Sequence, residues 1–188
     1  MGQARPPSPV KLVVSLLSAH EELFLQAERA LKEHFGAVDY VSERLPFGHT
    51  RYYEPEFGPG LQRQFLAFER LIDPGELASI KCLTNELEAH WSEGGKRRIN
   101  LDPGYISLAK LVLATTKNHG HRIYLGQGIY AEVTLTYRQG DFRPWPWTYP
   151  DYASDAYRQI LRAIRQIYVR QLRHLGESGA AGATLPPG

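Results

Sequence analysis

The amino-acid sequence predicts an α+β fold, a single domain in which a mainly antiparallel sheet of about six strands is covered by about three helices. Predicted strands outnumber predicted helices along the chain. Two of these strands flank a short turn with two glycines and form a hairpin, whose strands pair antiparallel. A long amphipathic helix near the end of the chain supplies an apolar stripe that can cover the sheet.

Composition limits the size and setting of the protein. The chain has 188 residues, 43% of them hydrophobic, which is enough for one core. Lys and Arg number 22 against 20 Asp and Glu, which argues against a strongly basic nucleic-acid wrapper and an acidic disordered chain. No long apolar run or secretion signal is present, so we expect neither a membrane span nor export. Cys82 is the single cysteine, which excludes an internal disulfide and favours a cytoplasmic setting.

The two ends of the chain differ in composition from the middle. Residues 1–9 are rich in proline and residues 176–188 are small and flexible, so we expect both to be disordered tails. No repeat or linker interrupts the intervening chain, and residues 10–175 are therefore predicted to form the single α+β domain.

A buried strand and a helix open this domain. Residues 10–17 form an apolar run rich in Val and Leu, which predicts a strand buried on both faces in the centre of the sheet. Ser18 precedes Glu21 by three residues, the pattern of a capping box at a helix start. Gly36 is predicted to end that helix.

Two further strands and a second helix follow. Residues 38–45 and 62–72 are each predicted to form a strand. Residues 73–76 (DPGE) place Asp at the N-cap, Pro at the first helical position and Glu two residues after it, so a helix is predicted from there to about Trp91.

The segment after the second helix is predicted to contain a turn and then a strand. Residues 100–105 (NLDPGY) contain Asp-Pro-Gly, which is typical of a turn. Residues 107–116 (SLAKLVLATT) are compatible with a helix or a strand, and the Val and Thr near their end favour a strand.

The hairpin around residues 126–128 (GQG) is the clearest tertiary prediction. Its register pairs Leu125 with Ile129 and places Tyr124 opposite Tyr130 and Arg122 opposite Glu132. Strand alternation predicts a core-facing set of Ile123, Leu125, Ile129, Ala131, Val133 and Leu135, and a second set of Arg122, Tyr124, Tyr130, Glu132 and Thr134. The second set is polar and rich in tyrosine, so we expect it to line a groove.

The near-neutral net charge hides an uneven distribution. Residues 1–94 carry 9 basic and 14 acidic side chains, whereas residues 95–188 carry 13 basic and 6 acidic ones. Five of the later cations lie on the last helix, away from its apolar stripe: Arg158, Arg162, Arg165, Arg170 and Arg173. A solvated face is the usual meaning of such a run, and an RNA-binding face is the alternative.

Residues 115–122 (TTKNHGHR) form the densest polar segment and are predicted to join two strands. Hydroxyl, ammonium, imidazole and guanidinium groups on one loop can donate to phosphate or carboxylate. We therefore predict that Lys117, His121 and Arg122 hold an anion. The alternative is a solvated loop whose Arg122 only pairs with Glu132 across the hairpin.

Carboxylates from distant segments are candidates to face that loop. Asp102, Glu56 and Glu132 could each act as a general base or ligate Mg²⁺. Asn100 accompanies Asp102, although turn chemistry alone also explains this pair. Tyr53, near Glu56, could stack on a base or lie at the edge of the core.

The second helix carries a further polar group. Lys81, Asn85 and Glu88 are spaced to share one edge of this helix. A solvated face is the favoured interpretation of that spacing. Residues 145–152 (WPWTYPDY) are unusually aromatic and are predicted to cover the sheet edge or a ligand groove.

His119 and His121 could present two imidazoles to a metal, with His49, Asp102 or Glu132 completing the site. The spacing places no third ligand, so we assign no metal site. Phosphate-loop, dinucleotide-binding, nucleophile-elbow and zinc-protease motifs are absent, as is any haem, flavin or NAD motif. Residues 116–119 (TKNH) resemble the guanine-reading motif of GTPases, but His119 replaces its Asp and no phosphate loop is present, which excludes a standard GTPase.

Six ordered blocks of residues carry a resemblance to a known family. They are Thr50-x-Tyr52-Tyr53-x-x-Glu56-x-Gly58; Lys81 with Thr84-Asn85 and Glu88; Asn100-x-Asp102-Pro103-Gly104-Tyr105; Thr115-Thr116-Lys117 with His121-Arg122-Ile123-Tyr124; Gly128-Ile129-Tyr130-Ala131-Glu132; and Thr148-Tyr149-Pro150-Asp151-Tyr152. Together they resemble the bacterial and archaeal domain-of-unknown-function family 4416. Members of that family often carry the automatic label GTP-binding protein, and the resemblance leaves the function open.

The sequence therefore predicts a protein that binds a small anionic ligand, phosphorylated or nucleotide-like, in a polar groove, and leaves open whether it is an enzyme. The catalytic candidates are Asp102, Glu56, Glu132 and His121, and the ligand-binding candidates are Lys117, Arg122, Tyr53, Tyr130, Thr116, Asn100, Lys81 and Asn85. Mg²⁺ is the cofactor that these carboxylates would suit. The alternatives are a non-enzymatic interaction or RNA-binding module that uses the last helix, and a metal-dependent hydrolase that uses the two histidines.

Overall fold

A computed structural model describes residues 2–48 and 54–181 of the chain. Its helices are α1 (Glu21–Phe35), the short α2 (Glu54–Phe57), α3 (Leu77–His90) and α4 (Asp155–Ala181). Its strands are β1 (Val10–Ser18), β2 (Val38–Val41), β3 (Leu45–Pro46), β4 (Gln62–Ile72), β5 (Ile99–Ile106), β6 (Lys110–Thr115), β7 (Ile123–Gly126), β8 (Ile129–Arg138) and β9 (Asp141–Pro144). The predicted α+β class is confirmed, with more strands than expected. None of the described helices is long and apolar enough to cross a membrane.

The strands form one sheet in the order β2-β4-β1-β5-β6-β8-β7, with β3 added to β4 and β9 added to β8. Every pairing between these strands is antiparallel. The apolar strand β1 lies between β4 and β5 and is buried along its whole length, as its sequence predicts.

Helices cover both faces of the sheet. On the first face, Leu12 and Leu16 of β1 pack with Phe24 of α1 and Ile80 of α3. On the second face, the core formed with α4 contains Val13, Phe65, Leu111, Leu135, Leu161 and Ile164. Because neighbouring residues of a strand point to opposite faces, β1 contributes to both cores. The helix α4 continues to Ala181, beyond the residue at which the composition places the end of the domain.

Local signals predict one helix start correctly and another wrongly. Asp73 accepts a hydrogen bond from the Gly75 N–H, and the Glu76 side chain returns to the Asp73 N–H, so the predicted capping box forms before α3. No such box forms at α1. The Ser18 hydroxyl accepts from the His20 N–H and donates to the Arg98 carbonyl, and α1 begins two residues later than predicted.

The largest error in secondary structure concerns residues 100–105, which are predicted to be a turn but lie inside β5. Pairing with β1 runs along the whole of β5, and pairing with β6 begins at Gly104. A Cβ atom on Gly104 would lie 2.4 Å from the Val112 carbonyl oxygen, so glycine permits the close approach of β5 and β6. Tertiary pairing therefore outweighs the local turn preference.

The other strand predictions are confirmed in most respects. Residues 62–72 form β4 and the segment that favoured a strand contains β6, whereas residues 38–45 split into β2 and β3. In the hairpin, Tyr124 pairs with Tyr130 as predicted, but a bulge makes Gly126 the partner of Ile129 in place of Leu125.

The predicted core-facing set of the hairpin does not share one face. A register shift in the pairing of β6 with β8 turns Leu135 to the second face, whereas Val133 packs on the first. Ile123 and Leu125 are exposed because β7 is the terminal strand of the sheet.

Candidate functional site

Polar side chains gather on the second face at one end of the sheet. By strand alternation, Asp102 of β5, Thr115 of β6 and Tyr130 of β8 share this face. Thr115 pairs directly with Tyr130, and Asp102 lies two residues before Gly104, where the pairing of β5 with β6 begins. We call this surface the polar end.

A buried carboxylate borders the polar end. Glu132 Oε2 accepts a hydrogen bond from Arg122 Nε at 2.9 Å and lies 3.0 Å from His121 Nε2. Its other oxygen accepts from the Thr134 hydroxyl at 3.2 Å. The side chains of Arg122 and Glu132 are both buried, and Arg122 also donates to the Lys117 carbonyl oxygen at 3.0 Å. Arg122 thus makes the cross-hairpin ion pair that the sequence offers as an alternative, and it ties the loop to the sheet.

His121 is held in one orientation by these contacts. An ionised Glu132 requires a donor at Nε2, which leaves His121 Nδ1 on the opposite edge of the ring. The imidazole stacks on Trp147 with ring centroids 5.3 Å apart and on His119 at 5.9 Å. Trp147 in turn stacks on Trp145 at 5.1 Å. The two tryptophans therefore extend an aromatic column from the predicted anion-binding loop.

The aromatic segment of residues 145–152, which is predicted to cover the sheet edge or a ligand groove, lies against β8 and the core of the second face. Trp147 donates from its indole N–H to the Val133 carbonyl oxygen at 3.1 Å, and the Thr148 hydroxyl donates to the Thr134 carbonyl oxygen at 2.6 Å. The segment forms one wall beside the polar end.

Five residues close a ring of hydrogen bonds and ion pairs at the other side of the polar end: Arg97, Asn100, Asp102, Lys81 and Glu88. Arg97 donates to Asn100 Oδ1 at 2.9 Å, and Asn100 donates to Asp102 Oδ2 at 2.6 Å. Lys81 Nζ lies 3.4 Å from Asp102 and 3.7 Å from Glu88, which accepts from Arg97 at 3.1 Å.

This ring supplies hydrogen-bond partners to backbone groups of β5 that no neighbouring strand pairs with. Since β6 pairs with β5 only from Gly104 onward, the outer edge of Leu101 has no strand beside it. Glu88 accepts from the Leu101 N–H at 2.7 Å, and Lys81 donates to the Leu101 carbonyl oxygen at 2.8 Å. The solvated face favoured for Lys81 and Glu88 is therefore wrong, because both are buried against this edge. Asn85, which the sequence groups with them, does not belong to the ring.

Glu56 reaches the ring from α2. Arg97 donates to its two carboxylate oxygens at 2.7 Å and 2.9 Å. These hydrogen bonds lower the pKa of Glu56 from its ordinary value, although partial burial opposes the shift. Burial raises the pKa of Glu88 despite the nearby charges of Lys81 and Arg97.

The lowered pKa of Glu56 makes stability depend on pH in the acid range. We expect Glu56→Gln to be less stable than the wild type near neutral pH, and this difference to shrink as the pH falls below 4.5, the ordinary pKa. The sign follows because a carboxylate with a lowered folded-state pKa stabilises the fold above its unfolded pKa. Urea unfolding across a pH series measures the difference, with Glu86→Gln on the exposed side of α3 as the control. A difference that stays constant through the acid range would contradict the prediction.

A buried arginine that the sequence interpretation missed lies beside the same surface. Arg63 of β4 donates to the Ser15 hydroxyl at 2.9 Å, and its side chain and that of Asp151, 3.6 Å away, are 3% and 8% exposed. Its guanidinium lies over three aromatic rings, those of Phe47, Tyr152 and Tyr157. The available signal was alternation, because Arg63 has the same parity along β4 as the core residue Phe65.

Three further predicted site residues are Thr116, Lys117 and Tyr53. Thr116 and Lys117 are exposed on the loop. Tyr53, like His49, lies outside the described residues. Within residues 2–48 and 54–181, no three His, Cys, Asp or Glu side chains are grouped so as to hold a metal ion.

Three of the five arginines of α4 bind other groups of the protein. Arg158 and Arg162 both bind Asp141, and Arg165 donates to the Leu108 carbonyl oxygen. Burial acts to raise the pKa of Asp141, but the hydrogen bond from Arg162, with the Phe142 N–H and the charge of Arg158, lowers it overall. These contacts use three of the five helix arginines within the protein and do not favour a continuous RNA-binding face.

The fold and this site define a single-domain α+β protein with a partly buried, charged surface at one end of an antiparallel sheet. The chain belongs to the family described as Domain of unknown function (DUF4416), whose model matches residues 8–168. The match confirms the resemblance and includes every residue of the polar end and its ring. No curated protein matches the chain, and no solved structure does so either.

Proposed function

We propose that the polar end binds a small anionic ligand through the loop of residues 116–122. One observation carries the proposal: Asp102, Thr115 and Tyr130 share one face of three adjacent strands, next to a loop that presents Lys117 and His121. A floor that spans three strands suits a ligand the size of a phosphorylated metabolite.

The buried charges around the floor support a binding role. Burying a carboxylate or a guanidinium lowers stability unless each group is paired, so such groups cluster where function requires them. Three groups of charged side chains border the same surface. They are the pair of Glu132 with Arg122, the pair of Asp151 with Arg63, and the ring around Asp102. Core packing alone would not require so many charges in one region.

Each residue of the loop has a distinct proposed role. Lys117 supplies the exposed positive charge, and His121 Nδ1 donates to the anion when the imidazole is protonated. Glu132 and Arg122 are positioning residues, because their contacts orient His121 and close the loop. Phosphate is the favoured anionic group, since its several oxygens can accept from two cationic side chains at once.

The opposite side of the floor offers complementary groups. Asp102 is bound by Asn100 and Lys81, yet its side chain is 27% exposed. It can accept from a ligand hydroxyl or act as a base toward a ligand held by the loop. Tyr130 lies between these sides, where its ring can contact a sugar or an aromatic base. This arrangement favours a nucleotide-like ligand over a bare anion.

A thermal-shift panel of nucleotides, phosphosugars and inorganic phosphate tests the proposal. At a ligand concentration about 100 times Kd, binding stabilises the fold by about 2.7 kcal/mol, which raises Tm by about 5–10 °C in a protein of this size. We expect Lys117→Ala to lose that shift and Arg173→Ala, which removes an exposed cation of α4, to keep it. No shift with any compound, or equal shifts in the two variants, would overturn the proposal.

A further inference from the structure

The aromatic column beside the polar end is a continuous stack of four rings. In order they are Trp145, Trp147, His121 and His119, and the planes of neighbouring rings lie 7°, 15° and 23° from parallel. The two inner rings have a neighbour on each face. A further planar ring can therefore join this column only at one of its ends.

The two ends of the aromatic column differ in exposure. Trp145 is half-buried and its indole nitrogen is fully buried, so this end lies against the protein. His119 is exposed together with the rest of residues 116–120. Among the described residues, the imidazole of His119 stacks only on that of His121. The outer face of His119 is therefore the end of the column that a ligand can reach.

Hydrogen bonds to the sheet hold the column in place. His121 is bonded through Nε2 to the buried Glu132 at 3.0 Å, and the indole N–H of Trp147 donates to the Val133 carbonyl oxygen at 3.1 Å. A platform that is already ordered binds a planar ligand with a smaller loss of conformational entropy than a mobile loop does. The stack thus presents His119 in an orientation suited to a parallel ring.

We propose that the outer face of His119 stacks on the purine base of a nucleotide whose phosphate is held by the loop. The inference rests on the proposed function and names the class of its anionic ligand. Histidine is one of the side chains on which nucleobases stack. Lys117 lies two residues before His119 on the same exposed loop, so one nucleotide can contact both. A purine is favoured over a pyrimidine because its larger ring system covers more of the imidazole.

The column gives the two histidines of the loop different roles. Rings cover both faces of His121, so only its edge, with Nδ1, can meet the phosphate. His119 has one face open and offers it to the base. Asp102 and Tyr130, on the floor of the polar end, are then left to contact the sugar.

Isothermal titration calorimetry with adenosine 5′-monophosphate and ribose 5-phosphate tests this inference, because the two compounds share the sugar phosphate and only the first carries a base. We expect the wild type to bind adenosine 5′-monophosphate at least about tenfold more tightly, the usual gain from stacking one base. His119→Ala should remove this difference and leave the affinity for ribose 5-phosphate unchanged. His119→Phe, which keeps a planar ring, should preserve the difference.

His90→Ala is the matched control, since His90 is an exposed histidine on α3, and it should bind both compounds like the wild type. Proton NMR supplies a second readout: adenosine 5′-monophosphate should shift the ring protons of His119 upfield, and ribose 5-phosphate should not. Equal affinity of the wild type for the two compounds, or an undiminished preference in His119→Ala, would overturn the inference and leave the proposed function intact. If neither compound binds, the inference is also overturned, and the thermal-shift panel decides the proposed function separately.

Discussion

Arg63→Met is expected to lower the free energy of unfolding by about 3–5 kcal/mol, the usual cost of breaking a buried ion pair by removing one partner. The methionine would fill much of the space but would leave the buried Asp151 carboxylate without its guanidinium. The Ser15 hydroxyl would lose its donor, and the three rings around Arg63 would lose a cation that lies 4.9–5.8 Å from their centroids.

Urea unfolding of three variants and the wild type measures this effect. Arg70→Met provides the control, because Arg70 lies on the same strand but is exposed, and its replacement should change stability by less than about 0.5 kcal/mol. The double variant Arg63→Met with Asp151→Asn should recover part of the loss, since it removes the uncompensated charge. Equal stability of Arg63→Met and Arg70→Met would contradict the role assigned to this pair.

Gly104→Ala is the second substitution with a large expected effect, a loss of about 3 kcal/mol or more. The new Cβ would lie 2.4 Å from the Val112 carbonyl oxygen and 2.6 Å from Leu113 Cδ2. The first of these atoms is backbone, so the contact can be relieved only by moving β6 away from β5. Asp102 lies two residues away on β5, and its position within the polar end would shift as well.

Thermal unfolding of purified variants measures the effect of this substitution. Gly120→Ala is the matched control, because a Cβ at Gly120 meets no atom within 4 Å. Gly104→Ala should therefore melt well below both the wild type and this control. A Tm for Gly104→Ala equal to that of Gly120→Ala would show that β5 and β6 do not need the close approach.

Predictions from local sequence succeeded where the signal and the structure involve the same few residues. The Asp73 capping box forms because its donors and acceptors lie within four residues of one another. The hairpin register around Tyr124 and Tyr130 follows from a short loop, which limits how the two strands can pair. Strand β4 was predicted at its observed bounds because its apolar residues fall in two short runs, residues 65–68 and 71–72.

The errors arise where distant segments decide the outcome. Residues 100–105 contain every local sign of a turn, yet pairing with β1 along their whole length makes them a strand. Lys81 and Glu88 look like a solvated helix face, but the unpaired edge of Leu101 supplies the backbone groups that bury them. Arg63 carried no functional motif, and its importance follows from Asp151, which is far away in the sequence.

The sequence by itself determined the fold class, the family, the central strand and the separate polar segments. These features follow from hydrophobic periodicity and local motifs, which depend only on residues close together in the chain. Only the tertiary structure decided which charges meet. Asp102, Lys81, Glu88 and Arg97 form one ring, while His121, Arg122 and Glu132 form another cluster on the same face. The physical reason is that the register of an antiparallel sheet, and the strand edge it leaves open, depend on pairings between segments far apart in the chain.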